Sequence, residues 1–218
     1  PDVWRITFNR GGVFSIHGID PFGYDIRPPK AEEKPSLKWL AYGSSITNSN
    51  LDGYPHFAAR VLNVDVQNKG LSGACHCEKD IVDWIVDKCE WDVLTCEMGI
   101  NMRGGFSPEE FRQRVDYLLQ KATATGKTVI AINLYPNSFS EDWSSDPENV
   151  NTVSEKAYNQ AVRDAVAEIN APNLHMIEGS DILTDFTGLT SDLLHPCAYG
   201  HAIMGANLAA KMKEILDI

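Results

Sequence analysis

Apolar and polar positions follow two different patterns between residues 37 and 216. Runs of consecutive apolar residues predict buried strands, and recurrence of apolar residues every three or four positions predicts amphipathic helices. The predicted strands are residues 37–42, 64–68, 92–98, 128–135 and 174–177. The predicted helices are residues 54–62, 78–89, 107–124, 152–169 and 198–216.

Two of these helices carry start signals. Ser107 precedes Pro108 and stands three residues before Glu110, so it is predicted to cap the third helix, which Gly126 closes. Thr152 and Glu155 have the same spacing and predict the start of the fourth helix.

Alternating strands and helices predict an α/β fold: a three-layer αβα sandwich around a parallel sheet of about five strands. The run at 128–135 is nearly all apolar, as expected for a strand covered on both faces. In such sheets ligands bind at the carboxyl ends of the strands, so the polar residues that follow each strand are the candidates for function.

The first 34 residues have a different character. Residues 4–8 and 13–16 resemble short strands joined by a turn at 9–12, and residues 27–35 have the proline and charge content of a linker. A lone hairpin is marginally stable, so this β segment belongs to an accessory β domain or packs on the main domain. We therefore divide the chain into residues 1–34 and a main domain at 35–218.

Composition narrows the classes of function. The chain has 218 residues and a formal net charge of −11, which disfavours binding to nucleic acid or to anionic lipid. No apolar run approaches the roughly 18 residues that span a bilayer, and the first residues show no signal-peptide pattern. We expect a cytoplasmic protein without membrane or nucleic-acid partners, although Pro1 leaves an upstream leader open.

The five cysteines do not form a disulfide pattern, because their number is odd and their spacing irregular. Buried thiols in a reducing compartment are the expected state. Cys75-His76-Cys77 has one residue between its cysteines, whereas structural zinc sites have two or more. We therefore predict no metal site at these residues.

Four polar clusters stand at the predicted functional edge. They are residues 43–47 after the first strand, 68–73 after the second, 99–102 after the third and 192–196 before the last helix. Together they hold a serine, a histidine, an aspartate, an asparagine and exposed backbone amides. These are the groups that acyl transfer requires.

Each group has a separate chemical part. A base must take the proton from a serine hydroxyl before it attacks, and His195 can do so near neutral pH. Asp192 can orient the imidazole and stabilise its charged form. The oxyanion formed on attack needs donors, which Gly73 can supply from its backbone and Asn101 from its side chain.

These clusters resemble the four sequence blocks of the SGNH hydrolases, also called GDSL-like esterases and lipases, over about residues 38–216. The blocks match as Gly43-Ser44-Ser45-Ile46, Asn68 through Gly73, Gly99-Ile100-Asn101 and Asp192-x-x-His195-Pro196. The resemblance implies a flavodoxin-like fold. It makes Ser45 the nucleophile, Asp192 and His195 the acid and base, and Ser45, Gly73 and Asn101 the oxyanion hole.

The same resemblance implies a serine ester hydrolase that forms an acyl-enzyme on Ser45 and needs no cofactor. Its substrate would be a small acyl ester, with an O-acetyl group on carbohydrate as the first candidate. Two departures leave the substrate class open: Ser44 stands where the family usually has aspartate, and Met102 where it often has aspartate.

Several alternatives stay open at this point. Ser44 is the rival nucleophile, and Arg103 could contact a polar substrate group or belong to an ordinary loop. The loop at 137–151, with Trp143, is either a binding rim or a mobile surface loop. The same residues would serve an acyltransferase, and a silent binding module could keep the fold. The sequence does not define the oligomeric state.

Overall fold

The computed structural model describes residues 3–6, 13–49 and 51–218, and its centre is one parallel sheet. The strands are β1 (Lys38–Gly43), β2 (Asp65–Gly70), β3 (Val93–Glu97), β4 (Thr128–Ile132) and β5 (Leu174–Ile177). Their order across the sheet is β2-β1-β3-β4-β5, and every neighbouring pair is parallel. The five predicted strands are thus confirmed, with ends that differ by up to three residues.

Helices cover both faces of this sheet. They are α1 (Tyr54–Leu62), α2 (Lys79–Lys88), α3 (Pro108–Thr123), α4 (Val150–Ile169), the short α5 (Gly179–Ile182) and α6 (Ala198–Leu216). Helices α1 and α6 bury their apolar residues against one face, and α2, α3 and α4 against the other. The three-layer α/β architecture is therefore as predicted. Helix α5 and two 3-10 turns, Ala31–Glu33 and Phe186–Gly188, add to the predicted elements.

The two covered faces explain why β1 is an unbroken apolar run from Trp39 to Tyr42. Along β1, Trp39 and Ala41 pack on the side of α1 and α6, whereas Leu40 and Tyr42 pack on the opposite side. All four side chains are fully buried. Because successive side chains of a strand point to opposite faces, a strand covered on both sides must be apolar at every position.

The helix caps show that the predicted start of α3 is correct and that the predicted start of α4 is wrong. Ser107 caps α3, and its Oγ accepts a hydrogen bond from the Glu110 amide at 3.1 Å. Helix α4, however, begins at Val150 rather than Thr152, because the Asn149 side chain caps it by accepting from the Asn151 amide at 2.9 Å. The predicted capping box therefore lies within the first turns of the helix.

The N-terminal segment differs from its prediction. Residues 3–6 and 13–16 form no strand, and the predicted turn at 9–12 lies outside the described residues. Large apolar side chains of this segment are exposed, among them Trp4 at 86% and Phe22 at 85%. Two short runs without a third element to cover them cannot hold a hairpin, which is the physical reason for the difference.

Arg5 connects this segment to the edge of the sheet. Its guanidinium forms an ion pair with Asp65 and donates to the Val66 carbonyl at 3.5 Å. The boundary at residue 34 remains a prediction. Among the described helices, none is both long and apolar enough to cross a bilayer.

Candidate active site

A serine, a histidine and an aspartate form a continuous chain of hydrogen bonds at the carboxyl edge of the sheet. The Ser45 Oγ lies 2.8 Å from the Nε2 of His195, and the Nδ1 of His195 lies 2.6 Å from the Oδ2 of Asp192. An ionised carboxylate can only accept, so Nδ1 carries the imidazole proton and the Nε2 lone pair faces the serine hydroxyl. This arrangement can deprotonate Ser45.

The nucleophile turn, residues 43–48, follows β1 directly. The Asn48 amide donates to the Ser44 carbonyl at 2.9 Å, which closes the turn. A Cβ at Gly43 would come within 2.2 Å of the Thr47 Oγ1, so only glycine fits where the strand enters the turn. Ser45 is half-buried on this turn, whereas Ser44 is fully buried and its Oγ accepts from the Ile46 amide at 3.2 Å. The geometry favours Ser45 over Ser44 as the nucleophile.

A buried carboxylate, Glu97, lies beneath the nucleophile turn. Its Oε2 accepts from the Ser44 amide at 2.6 Å and from the Thr47 hydroxyl at 3.1 Å. Burial raises the pKa of Glu97, and the hydrogen bonds from Ser44 and Thr47 oppose that shift. Glu97 is not among the residues that the sequence singles out. The signal that could have revealed it is a glutamate inside a strand that is otherwise apolar.

The acid–base loop, residues 189–196, is closed at its base by pairing between Leu189 and Pro196. The Thr190 amide donates to the His195 carbonyl at 2.8 Å, and Leu193 adopts a left-handed conformation with φ of 55°. This tight loop explains how two residues three positions apart can face each other. The His195 and Asp192 side chains keep 42% and 49% of their surface exposed, so a substrate can reach the imidazole.

Four donors hold the carboxylate of Asp192. Its Oδ1 accepts from the Leu194 amide at 3.0 Å, the His195 amide at 2.9 Å and the Thr190 hydroxyl at 2.7 Å, which leaves Oδ2 for the imidazole. Partial burial opposes ionisation, but the hydrogen bonds from Thr190, from the His195 ring and from the two amides outweigh it. The pKa of Asp192 is consequently held well below its usual range. Asp192 therefore stays charged throughout the neutral range.

The predicted oxyanion donors lie on the neighbouring turns. Gly43 pairs with Gly70, so the turn after β2, which contains Gly73, adjoins the nucleophile turn. The Cys75 amide donates to the Oδ1 of Asn101 at 3.1 Å and joins that turn to the turn after β3. This bond fixes the side-chain amide of Asn101 with Nδ2 as its free donor end. Gly73 has φ of +70° and open space around its Cα, so its backbone is accessible.

The Arg103 side chain is held by other residues of the protein. Its Nη1 donates to Glu155 at 2.5 Å and to the Oδ1 of Asn137 at 3.3 Å, and its guanidinium lies over the Phe139 ring. Of the two interpretations, the structure favours the one in which Arg103 belongs to the loop.

The loop between β4 and α4 borders the acid–base loop. The Ser138 amide donates to the Leu193 carbonyl at 3.0 Å. Trp143 packs edge-on against Phe186, with ring centroids 5.0 Å apart. These contacts favour a rim beside the catalytic groups over a mobile surface loop.

His76, His201 and the cysteines have structural surroundings. The Nδ1 of His201 accepts from the Tyr54 amide at 3.3 Å, and His76 lies 3.2 Å from Glu78. All five cysteines are free thiols, and Cys75 and Cys77 are buried. Within the part of the chain that the structure describes, no three side chains of His, Cys, Asp or Glu come together as a metal site would need.

Fold and geometry define an α/β protein with a Ser-His-Asp site at the carboxyl edge of a parallel sheet, the layout of a serine hydrolase. Comparison with family models agrees: the GDSL-like Lipase/Acylhydrolase family matches residues 41–203. The chain belongs to this family. A search of curated proteins found no match.

Solved structures show the same fold at low identity. A candidate GDSL-like lipase from Bacteroides ovatus ATCC 8483 superposes with a TM-score of 0.70 at 22% identity, covering 84% of this chain and 54% of that one. The salicylyl-acyltransferase SsfX3 from a tetracycline biosynthetic pathway gives 0.68 at 17% identity, covering 82% and 55%. A mutant of Axe2, an acetyl-xylooligosaccharide esterase from Geobacillus, gives 0.63 at 18% identity, covering 84% and 95%. The chain thus spans about half the length of the first two proteins.

Proposed function

We propose that this protein hydrolyses small acyl esters through an acyl-enzyme on Ser45. The observation that carries the proposal is the unbroken chain of hydrogen bonds from the Ser45 hydroxyl through His195 to Asp192, with lengths of 2.8 and 2.6 Å. Membership of the GDSL-like family supports the same reaction.

Acylation begins when the Ser45 Oγ attacks the ester carbonyl carbon and transfers its proton to the Nε2 of His195. The carbonyl oxygen becomes an oxyanion, for which we assign the amides of Ser45 and Gly73 and the Asn101 side chain as donors. When the C–O bond of the ester breaks, the imidazolium returns the proton to the departing alcohol. Ser45 is left acylated.

Deacylation repeats these steps with water. The Nε2 of His195 takes a proton from the water, whose oxygen attacks the acyl carbon. Collapse of the second intermediate breaks the bond to the Ser45 Oγ, which recovers the proton from the imidazolium. A carboxylic acid leaves and the free enzyme is restored. Throughout both halves, Asp192 holds the imidazole and balances its charge.

For the substrate we assign a short acyl group, with an acetyl ester of a carbohydrate first. The Axe2 neighbour, an acetyl-xylooligosaccharide esterase, supports this choice. The exposed turn at Ser72 and Gly73 beside the nucleophile also supports it, because an open polar surface suits a sugar better than a long acyl chain.

A panel of p-nitrophenyl esters of increasing acyl length tests the reaction and its substrate together. Acetyl ester should turn over faster than octanoyl ester. Ser45→Ala should abolish turnover, whereas Ser44→Ala, one residue away and without a reacting hydroxyl in the proposal, should keep measurable turnover. Undiminished hydrolysis by Ser45→Ala would reject the proposal, and faster hydrolysis of octanoyl ester would reject the short acyl group.

Acyl transfer is the second candidate, because one neighbour, SsfX3, is an acyltransferase. The two reactions share the acyl-enzyme and differ in the nucleophile that accepts the acyl group. Turnover of an acetyl ester in the presence of added alcohols or sugars separates them. Free acetate as the main product supports hydrolysis, and an acetylated acceptor as the main product supports transfer.

We also propose that the protein works in a reducing compartment such as the cytoplasm. The support is that its five cysteines are all unpaired. Thiol counting after unfolding without reductant, on protein taken directly from its source, tests this: five reactive thiols are expected. A count below five would contradict the proposal.

A further inference from the structure

A buried ion pair lies behind the candidate active site. Glu155 on α4 keeps 1% of its side-chain surface exposed, and Arg103, its partner, keeps 15%. The Nδ2 of Asn137 donates to both carboxylate oxygens at 3.1 Å, and the Ser140 hydroxyl donates to Oε2 at 3.3 Å. Burial raises the pKa of Glu155, and Arg103 opposes that shift. Nothing in the proposed reaction uses this carboxylate.

One partner of Glu155 belongs to the turn that carries Asn101. The Gly99 carbonyl accepts from the amides of Met102 at 2.9 Å and Arg103 at 3.1 Å, so Asn101 and Arg103 share one tight turn. Tyr158, one helical turn after Glu155, donates to the Met102 carbonyl at 3.0 Å. Helix α4 therefore contacts the turn that carries Asn101 through two side chains, Glu155 and Tyr158.

The other partner leads to the acid–base loop. Asn137, which Glu155 holds, precedes Ser138, whose amide donates to the Leu193 carbonyl at 3.0 Å. Leu193 lies between Asp192 and His195 in the chain. One buried carboxylate thus joins the turn of an oxyanion donor to the loop of the general base.

We propose that Glu155 is a positioning residue for the reaction: through Arg103 it holds the turn that carries Asn101, and through Asn137 it supports the loop of His195. This inference rests on the proposed ester hydrolysis. A displacement of a reacting group by about 1 Å can lower a rate by about 100-fold, so such a residue can matter without touching the substrate.

Glu155→Gln tests the proposal, because glutamine keeps one oxygen that can accept from Asn137 and Ser140, whereas its NH₂ replaces the charged oxygen that holds Arg103. We expect kcat for p-nitrophenyl acetate to fall about 10- to 100-fold with KM changed less than about threefold. Glu178→Gln is the matched control. Glu178 also pairs with an arginine, Arg163, and an asparagine, Asn133, but its contacts join the ends of β4 and β5 to α4, and none of them is with the Asn101 turn or the acid–base loop. Its kcat should stay within about twofold of wild type.

A double-mutant cycle with Asn101→Ala distinguishes positioning from general support. If Glu155 acts largely by placing the Asn101 amide, the loss of kcat caused by Glu155→Gln should shrink by at least about threefold in the Asn101→Ala background. Equal losses in both backgrounds would overturn the proposal, as would a kcat for Glu155→Gln equal to that of wild type.

Arg103→Lys serves if Glu155→Gln does not fold, since lysine keeps the charge but cannot reproduce the planar contacts of the guanidinium. The loss of kcat caused by Arg103→Lys should likewise shrink in the Asn101→Ala background. A loss that is equal in both backgrounds would overturn the inference. If wild-type protein itself fails to hydrolyse any ester, the proposed function fails; if wild type is active and these variants match it, only the role of Glu155 fails.

Discussion

At the scale of single residues, the hydrogen bonds of Asp192 determine the orientation and the tautomer of the His195 imidazole. Two backbone amides and a hydroxyl occupy one carboxylate oxygen, so the other oxygen points at the imidazole in one direction only. The imidazole is thereby fixed in the tautomer with its proton on Nδ1. In the proposed reaction, this tautomer leaves the Nε2 lone pair free to act as the base toward Ser45.

Asp192→Asn should therefore abolish most activity while leaving the fold intact. The Oδ1 of asparagine can still accept from the two amides, but its NH₂ then faces Nδ1 and forces the imidazole proton onto Nε2. We expect kcat to fall about 10⁴-fold, the size of the effect when a triad loses its acid. Steady-state kinetics measure the loss, and a thermal melt matched to wild type shows that folding is not its cause. Retention of more than about a tenth of kcat would exclude Asp192 as the orienting acid.

Glu97 should make the stability of the protein depend on pH in the opposite sense from Asp192. Its pKa is raised above the ordinary value of 4.5 in the folded protein, so the folded state keeps a proton that the unfolded chain releases. The contribution of Glu97 to stability is therefore lost as pH rises from 4.5 toward the raised pKa, by at most about 1.4 kcal/mol per pH unit. Asp192, with a lowered pKa, contributes stability above its ordinary value of 3.8 that is lost as pH falls.

Glu97→Gln isolates the Glu97 effect, because glutamine retains an acceptor for Ser44 and Thr47 but does not titrate. Urea unfolding at several pH values measures this effect. As pH rises above 4.5, the unfolding free energy of wild type should fall relative to that of the variant. A difference that is constant with pH would mean that Glu97 does not change its protonation on unfolding.

At the scale of secondary-structure elements, the periodic spacing of apolar residues predicts strands and long helices. Features that depend on contacts between distant residues cannot be predicted in this way. The five strands and five long helices follow from apolar spacing, which local sequence carries directly. The predicted start of α4 is wrong because two signals compete there, and only the fold shows that Glu155 faces Arg103 instead of capping a helix. The short α5 escapes prediction because four residues carry no periodic pattern.

The cap of α3 gives a prediction at this scale. Ser107→Ala removes the acceptor for the Glu110 amide and should lower the unfolding free energy by about 1 kcal/mol. Ser154→Ala is the control, since Ser154 is a half-buried serine inside α4 whose hydroxyl only bonds back to the Val150 carbonyl. Urea unfolding of both variants should show a change within about 0.5 kcal/mol for the control. Equal effects would mean that the Ser107 cap contributes nothing.

At the scale of the whole molecule, the sheet order brings together residues that are far apart in sequence. Strands β1 and β3 are neighbours, and α6 packs beside α1, so the nucleophile turn and the loop before α6 meet at one edge. The candidate Ser, His and Asp could be predicted because their blocks follow strand ends or precede the last helix. The hydrogen bonds of Glu97 and those of Glu155 could not be predicted, because the partners of these buried carboxylates come from distant parts of the sequence.

The N-terminal segment raises a separate question at this scale. We propose that residues 1–34 form a unit apart from residues 35–218. The exposed apolar side chains of the described part, such as Trp4 and Phe22, support this proposal, because they do not pack on the main domain.

The most direct test of the account is the site at which a fluorophosphonate reacts, because such a reagent captures an activated serine. Peptide mapping by mass spectrometry after labelling should place one adduct on Ser45. Ser44→Ala should still be labelled, and Ser45→Ala and His195→Ala should not. An adduct on another residue, or folded wild-type protein that remains unlabelled, would contradict the claim that His195 activates Ser45.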